Sequence, residues 1–128
     1  FIAPLARAGC RVSLFVAADE RQLQASAQAG AAVVELHTGA YCDFHAAGNH
    51  PAAEEELLRI ARSARFAAEL GLEVHAGHGL SYETVSPIAA LPEVAELNIG
   101  HFLVGESVFL GLGPAIAEMR RLMQNARR

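Results

Sequence analysis

Apolar runs alternate with amphipathic stretches along the whole chain, and glycines mark several of the boundaries between them. An apolar run without a polar face is typical of a strand that is covered on both sides of a parallel sheet. Four strands are predicted: residues 11–18, 31–38, a short strand within 72–80 that stops at a turn, and 95–100. Helices are predicted around them: residues 2–8, 20–29, 52–70, a short segment after Ser81, another over 106–111, and a last helix whose first turn holds Pro114.

Alternation of strands and helices specifies a parallel sheet with the helices packed outside it. Four strand–helix units would make half of a (β/α)8 barrel, and a flavodoxin-like sheet is the rival arrangement. The six histidines favour the barrel, because none falls in a predicted helix and chemistry in barrels gathers at the carboxyl ends of the strands. We therefore predict an α/β fold of the TIM (β/α)8 barrel type, with residues 1–128 as a single-domain fragment of it.

Composition and charge narrow the classes of function. The 128 residues are 52% hydrophobic, yet no apolar run approaches the ~20 residues of a membrane helix. The net charge of −4 argues against a nucleic-acid partner, which a basic face would normally signal. Cys10 and Cys42 have neither zinc nor redox spacing, and residues 1–9 lack the features of a signal peptide. A cytoplasmic protein with reduced thiols is expected.

Two histidines with adjacent glycines lie at predicted strand ends. Gly77 and Gly79 flank His78, and Gly100 precedes His101. Glycine lets a ligand approach the backbone closely, and barrels often hold a phosphate near such turns with backbone N–H groups and a helix N-terminus. The ordinary pKa of histidine, ~6.5, suits proton transfer near neutral pH. The turns therefore predict a phosphate site beside a proton-transferring His78, and a His78 that only caps its neighbours stays open as the alternative.

A carboxylate interrupts the second predicted strand. Glu35 and His37 stand in an otherwise apolar run and point to the same face of it. A buried carboxylate destabilises the fold unless it is paired. Because both polar residues lie near the carboxyl end of the strand, a functional role for Glu35 is favoured over a structural salt bridge.

Residues 39–51 are predicted to form the longest loop. Four side chains in it could in principle hold a metal: Cys42, Asp43, His45 and His50. Their spacing matches no standard zinc pattern. A substrate lid or a plain surface loop is the favoured interpretation, because long ordered loops are often functional.

Several ordered motifs resemble one enzyme family. Glu-Leu-His-Thr-Gly at 35–39, Ala-Gly-His-Gly-Leu-Ser-Tyr at 76–82 and Glu-Leu-Asn-Ile-Gly-His at 96–101 closely resemble pyridoxine 5′-phosphate synthases, and residues 12–20 and 118–123 agree. The resemblance implies a cytosolic, homo-oligomeric barrel enzyme of vitamin B6 biosynthesis that needs no metal or organic cofactor. It implies condensation of 1-deoxy-D-xylulose 5-phosphate with 3-amino-2-oxopropyl phosphate, which releases phosphate and water. This chain would supply about the last four βα units.

The resemblance also assigns roles to individual residues. His78 corresponds to the family's proton donor, and Glu35 to the carboxylate that stabilises the transition state. Gly79, Gly100 and His101 correspond to the site for the phosphate of the aminoketone substrate. These residue types suit the reaction, because imine formation, loss of water and phosphate, and aromatisation all move protons at fixed positions.

Two features depart from the family pattern, and one part of it is absent. His75 stands where asparagine is expected in many relatives, and the loop after Gly39 is longer than usual. The family's general bases and much of its deoxyxylulose phosphate site belong to the first half of the barrel. We therefore expect this chain to be the C-terminal half of a longer enzyme, which requires the N-terminal half and makes no product alone.

Three alternatives come from other classes of protein. The first is a non-catalytic half-barrel that binds a phosphate ligand or a partner half. The second is another sugar-phosphate barrel enzyme, such as an isomerase. The third is a metal-dependent hydrolase, which metal analysis of the purified protein would reveal.

Overall fold

The four predicted strands form one parallel sheet, with strand order the same as chain order. A computed structural model describes all 128 residues. The strands are β1 (Ser13–Val16), β2 (Val33–His37), β3 (Glu73–Gly77) and β4 (Val94–Asn98). The helices are α1 (Ile2–Arg7), α2 (Glu20–Ala29), α3 (Gly39–Ala46), α4 (His50–Glu69), α5 (Val85–Ala89), α6 (His101–Leu110) and α7 (Leu112–Ala126). The prediction of an α/β fold built on a parallel sheet is confirmed.

The two faces of the sheet differ in chemistry. On one face, Val34 and Val74 pack in a core cluster with Ile60 of α4. The other face carries a polar layer, because the strand register places Glu35 beside His75 and His75 beside Glu96. Alternation along each strand produces this division, since successive side chains point to opposite faces.

Helix α2 has the bounds that the sequence predicts, and both of its ends are capped. The carboxylate of Asp19 accepts hydrogen bonds from the backbone N–H groups of Arg21 and Gln22, at 3.0 and 3.3 Å. Gly30 ends the helix in the left-handed conformation, with φ of 84°. An acidic N-cap and a C-terminal glycine are the local signals that fix helix ends.

The prediction of a loop over residues 39–51 is wrong. The segment forms α3, a short turn, and the start of α4 at His50. Tyr41 and Cys42 are buried against the core, so tertiary packing stabilises α3 where the local sequence is ambiguous. The side chain of Asn49 accepts the N–H of Ala52 at 3.4 Å and caps α4.

The start of α6 also differs from the prediction. The helix begins at His101, five residues before the predicted segment. Its residues are apolar on nearly all sides, so no amphipathic stripe marks it in the sequence. As a result, the expectation that no histidine is helical is also wrong, since His45, His50 and His101 all lie in helices.

Large apolar side chains are exposed along α6 and at the first residue of α7. Those of α6 are Val104, Val108, Phe109 and Leu110, and that of α7 is Leu112. None of the helices combines the length and apolar character needed to span a membrane.

Candidate active site

A pocket of about 760 Å³ lies at the carboxyl ends of the strands. All of the predicted site residues line it: Glu35, His78, Gly79, Gly100 and His101. They come from three separate strand ends along the chain, and the parallel sheet brings these ends to one edge. Phe15, Asn98 and Glu106 also line the pocket and were not predicted.

Glu35 is held by an uncharged partner. The side-chain amide of Asn98 donates a hydrogen bond to Glu35 Oε2 at 2.9 Å. Glu35 is therefore paired without the salt bridge that the structural alternative required. Asn98 is the last residue of β4, on the same face as Glu35. Its polar side chain in the alternating Glu-Leu-Asn segment was the sequence signal that could have identified it.

His78 has an unusual backbone conformation. Its φ of 79° makes it the only non-glycine residue with positive φ in the chain. Such a conformation costs about 1–2 kcal/mol for a residue with a Cβ, and it persists where surrounding contacts hold it. The hydroxyl of Thr38 supplies these contacts, because it lies 2.8 Å from the carbonyl oxygen of Gly77 and 2.7 Å from that of His78.

Gly79 continues the strained turn. Its φ is 87°, and a Cβ added to it would lie 3.1 Å from the Cβ of Cys42. A side chain at position 79 would therefore meet both backbone strain and a crowded neighbour. Glycine at position 79 therefore lets the turn after β3 pack closely against α3.

His37 lies beside His78 at the end of β2. The two imidazole rings stack, with centroids 4.5 Å apart and planes inclined by 30°. The backbone N–H of Gly39 donates to His37 Nδ1 at 3.0 Å. Phe15 of β1 packs against the same pair, with ring centroids 5.0 Å from His37 and 6.1 Å from His78.

The N-terminus of α6 opens onto the pocket. Gly100 is its N-cap residue and provides no side-chain hydrogen bond to the first turn. The first N–H groups of a helix lack intrahelical partners and attract anions. Together with the imidazole of His101, which is exposed, this helix end can bind a phosphoryl group.

His75 belongs to the polar layer of the sheet and does not line the pocket. It is 6% exposed, and its Nε2 lies 2.8 Å from Glu73 Oε1 while its Nδ1 lies 3.5 Å from Glu96 Oε1. Glu73 also forms an ion pair with Arg11. The hydrogen bonds from His75 and then Arg11 hold the pKa of Glu73 below its ordinary value.

The four side chains considered for a metal do not converge. Cys42 Sγ lies 3.8 Å from the hydroxyl oxygen of Thr84, and burial raises the pKa of this thiol. His45 and His50 contact each other edge to face, with centroids 5.8 Å apart. No group of three or more His, Cys, Asp and Glu side chains has the proximity to bind a metal ion.

Comparison with known proteins gives consistent matches over almost the whole chain. The profile of the family described as pyridoxal phosphate biosynthesis protein PdxJ matches residues 1–125. A pyridoxine 5′-phosphate synthase from Roseobacter denitrificans is 67% identical over 127 residues, which are 99% of this chain and 51% of that protein. The synthase from Ruegeria pomeroyi is 64% identical over 127 residues, again 99% of this chain and 51% of the relative.

A more distant relative extends the comparison. The pyridoxine 5′-phosphate synthase of Xanthobacter autotrophicus is 60% identical over 119 residues, 93% of this chain and 46% of that protein. The chain thus spans about half the length of the curated relatives that it matches. The profile match over almost every residue, with identities of this size, shows that the chain belongs to the PdxJ family of pyridoxal phosphate biosynthesis proteins.

Proposed function

We propose that this chain contributes half of the active site of a pyridoxine 5′-phosphate synthase. The reaction condenses 1-deoxy-D-xylulose 5-phosphate with 3-amino-2-oxopropyl phosphate and releases phosphate and water. The convergence of Glu35, His78, Gly79, Gly100 and His101 on one pocket carries the proposal. The curated relatives bear the name of this synthase.

The proposed roles follow from the chemistry of each group. His78 donates a proton to a departing oxygen, because its imidazole is exposed to the pocket and histidine exchanges protons near neutral pH. Glu35, oriented by Asn98, stabilises positive charge that develops on the substrate nitrogen. The backbone of Gly79 and Gly100, with His101, binds the phosphate of the aminoketone. No metal or organic cofactor has a role in these steps.

We further propose that the sheet is the last four βα units of a (β/α)8 barrel, with residues 1–128 as one domain fragment. Three observations support this. The strand order follows the chain, unlike the 2-1-3-4-5 order of a flavodoxin-like sheet. One face of the sheet carries the paired polar residues Glu35, His75 and Glu96 on three adjacent strands, as a barrel interior would. The relatives are about twice as long.

The N-terminal half of the barrel is required in this proposal, because β1 and β4 each expose an unpaired edge. That half would hold the general bases and most of the deoxyxylulose phosphate site. The exposed apolar residues of α6 support a homo-oligomer. A cytoplasmic location suits a biosynthetic enzyme with two free cysteines.

The test is a comparison of enzyme variants in the complete natural polypeptide that carries these residues. We expect His78→Asn to reduce kcat by ~10²–10⁴-fold, the usual loss when a general acid is removed. Asparagine tolerates positive φ better than most residues, so the turn should keep its fold. The matched control is His50→Asn, outside the pocket, which should retain kcat.

Product is measured as pyridoxine 5′-phosphate by chromatography, alongside inorganic phosphate. Full activity of His78→Asn would remove His78 from the proposed role. Phosphate binding by the wild-type protein with no product from the two substrates would instead favour a non-catalytic half-barrel or another sugar-phosphate enzyme.

A further inference from the structure

We infer that His37 is a positioning residue that fixes the imidazole of His78 for proton transfer. The inference rests on the proposed function of His78. His37 does not line the pocket, so it acts through the ring that it contacts.

His37 is itself held firmly. Its Nδ1 lies 3.0 Å from the backbone N of Gly39. A backbone amide can only donate, so Nδ1 accepts and the neutral ring carries its proton on Nε2. The backbone that follows is also anchored, because the N–H of Thr38 donates to the carbonyl of Gly77 at 2.9 Å. The ring of His37 is therefore a fixed surface at the end of β2.

The imidazole of His78 lacks any comparable anchor. The hydrogen bonds at this residue reach its carbonyl oxygen, from Thr38 and Cys42, and none involves its ring nitrogens. Its ring is placed by aromatic contacts, the stack on His37 at 4.5 Å and the more distant Phe15 at 6.1 Å. Stacked aromatic rings attract each other beyond the burial of their surfaces, so the His37 ring favours one orientation of the His78 ring.

Gly39 provides an independent sign that the pair is built for contact. A Cβ added to Gly39 would lie 2.4 Å from His37 Cε1 and 3.2 Å from His78 Cδ2. Position 39 therefore faces both rings. Any side chain larger than that of glycine would collide with the stacked imidazoles. His37 and Gly39 thus act together to set where the His78 ring lies.

Two variants in the complete natural polypeptide separate the stack from the hydrogen bond. His37→Phe keeps a ring at the stacking position, while His37→Asn keeps an acceptor near Nδ1 but removes the ring. We expect His37→Asn to lower kcat by at least ~10-fold with little change in KM, because misplacement of a reacting group by about 1 Å can cost ~10² in rate. We expect His37→Phe to stay within ~3-fold of wild-type kcat, because the phenyl ring keeps the stack that places the His78 imidazole.

A second readout is independent of turnover. NMR spectra of ¹³C-labelled histidine should show ring-current shifts at His78 Cδ2–H that disappear in His37→Asn and remain in His37→Phe. The control is His50→Asn, which should leave the His78 signals unchanged. The inference is overturned if His37→Asn keeps wild-type kcat, if both variants lose kcat equally, or if the His78 shifts do not change. A wild-type protein that shows the ring-current shifts but makes no product would contradict the proposed function and leave the His37–His78 contact established.

Discussion

Asn98 reaches Glu35 across an intervening strand, with its amide nitrogen 2.9 Å from the Glu35 carboxylate. The two residues lie on β4 and β2, and β3 separates them. Gly77 of β3 is the register neighbour of Asn98, and it has no side chain to block the path. A glycine at this position is therefore part of the site, although it offers no functional group.

Gly77→Ala should disrupt this contact. The added Cβ would lie 2.4 Å from Glu35 Oε1 and 2.7 Å from the backbone oxygen of Asn98. Because the backbone cannot yield cheaply, we expect a loss of about 1–3 kcal/mol in the free energy of unfolding and a fall of ~10²-fold in kcat. Urea unfolding and steady-state kinetics measure the two effects. Gly113→Ala is the control, since nothing lies within 4 Å of its Cβ position; equal losses in both variants would contradict the prediction.

Asn98→Asp should reduce activity while it preserves the shape of the side chain. The substitution replaces the donor to Glu35 with a second carboxylate, and like charges at hydrogen-bond distance repel. We expect kcat to fall by ~10²-fold or more, comparable to the loss of one preorganised polar contact. Asn49→Asp makes the same chemical change at an exposed helix N-cap, where Asp caps as well as Asn. An Asn98→Asp enzyme as active as this control would show that Glu35 needs no amide partner.

The free energy of unfolding should decrease in acid, because protonation of Glu73 removes its interactions with His75 and Arg11. The pKa of Glu73 is lowered from its ordinary 4.5 by the hydrogen bond to His75 and then by Arg11. A carboxylate with a lowered folded-state pKa stabilises the fold above its unfolded pKa, and this contribution is lost as pH falls through the folded value. His75→Asn should therefore flatten the decline of the urea midpoint below about pH 4.5.

The control for this prediction is Glu54→Gln, at an exposed position on α4, which should keep the wild-type acid profile. A His75→Asn profile that coincides with wild type would mean that other carboxylates dominate acid unfolding.

The two cysteines should differ sharply in reactivity. Cys10 is exposed, whereas Cys42 is buried. Burial raises the pKa of the Cys42 thiol and outweighs the opposing effect of its hydrogen-bond contact with Thr84. The thiolate is the reactive form, so a short pulse of iodoacetamide on the native protein should alkylate Cys10 first. Peptide mass spectrometry after the pulse reports each site. Faster labelling at Cys42 would show that α3 opens readily.

The sequence identified elements wherever local signals were sufficient. Helix α2 was predicted with its observed bounds because Asp19 and Gly30 mark its two ends. The sequence alone predicts a loop where α3 forms, because the stability of α3 depends on burial of Tyr41 and Cys42 against distant parts of the chain. Helix α6 was placed too late because its uniform apolar character gives no periodic signal.

The site was predictable in part. Glu35, His78 and His101 are polar residues at the ends of apolar strands, and a parallel sheet necessarily brings such ends together. The partnership of Glu35 with Asn98 could not be predicted, because it depends on the register across β3. The stack of His37 on His78 could not be predicted either. It depends on a turn in which His78 has a positive φ, and nothing in the sequence signals a positive φ at a histidine.

If His78 has its proposed role, that turn sets folding and catalysis in opposition at one position. With φ at 79°, residue 78 has a backbone conformation that favours glycine. A glycine there would relieve the backbone strain but would remove the imidazole. Sequences selected only for stability should drift toward glycine or asparagine at this position, which accept positive φ most easily. Sequences selected for product should retain histidine. A saturation library at position 78, sorted separately for folded protein and for vitamin B6 prototrophy, would therefore yield two different preferred residues.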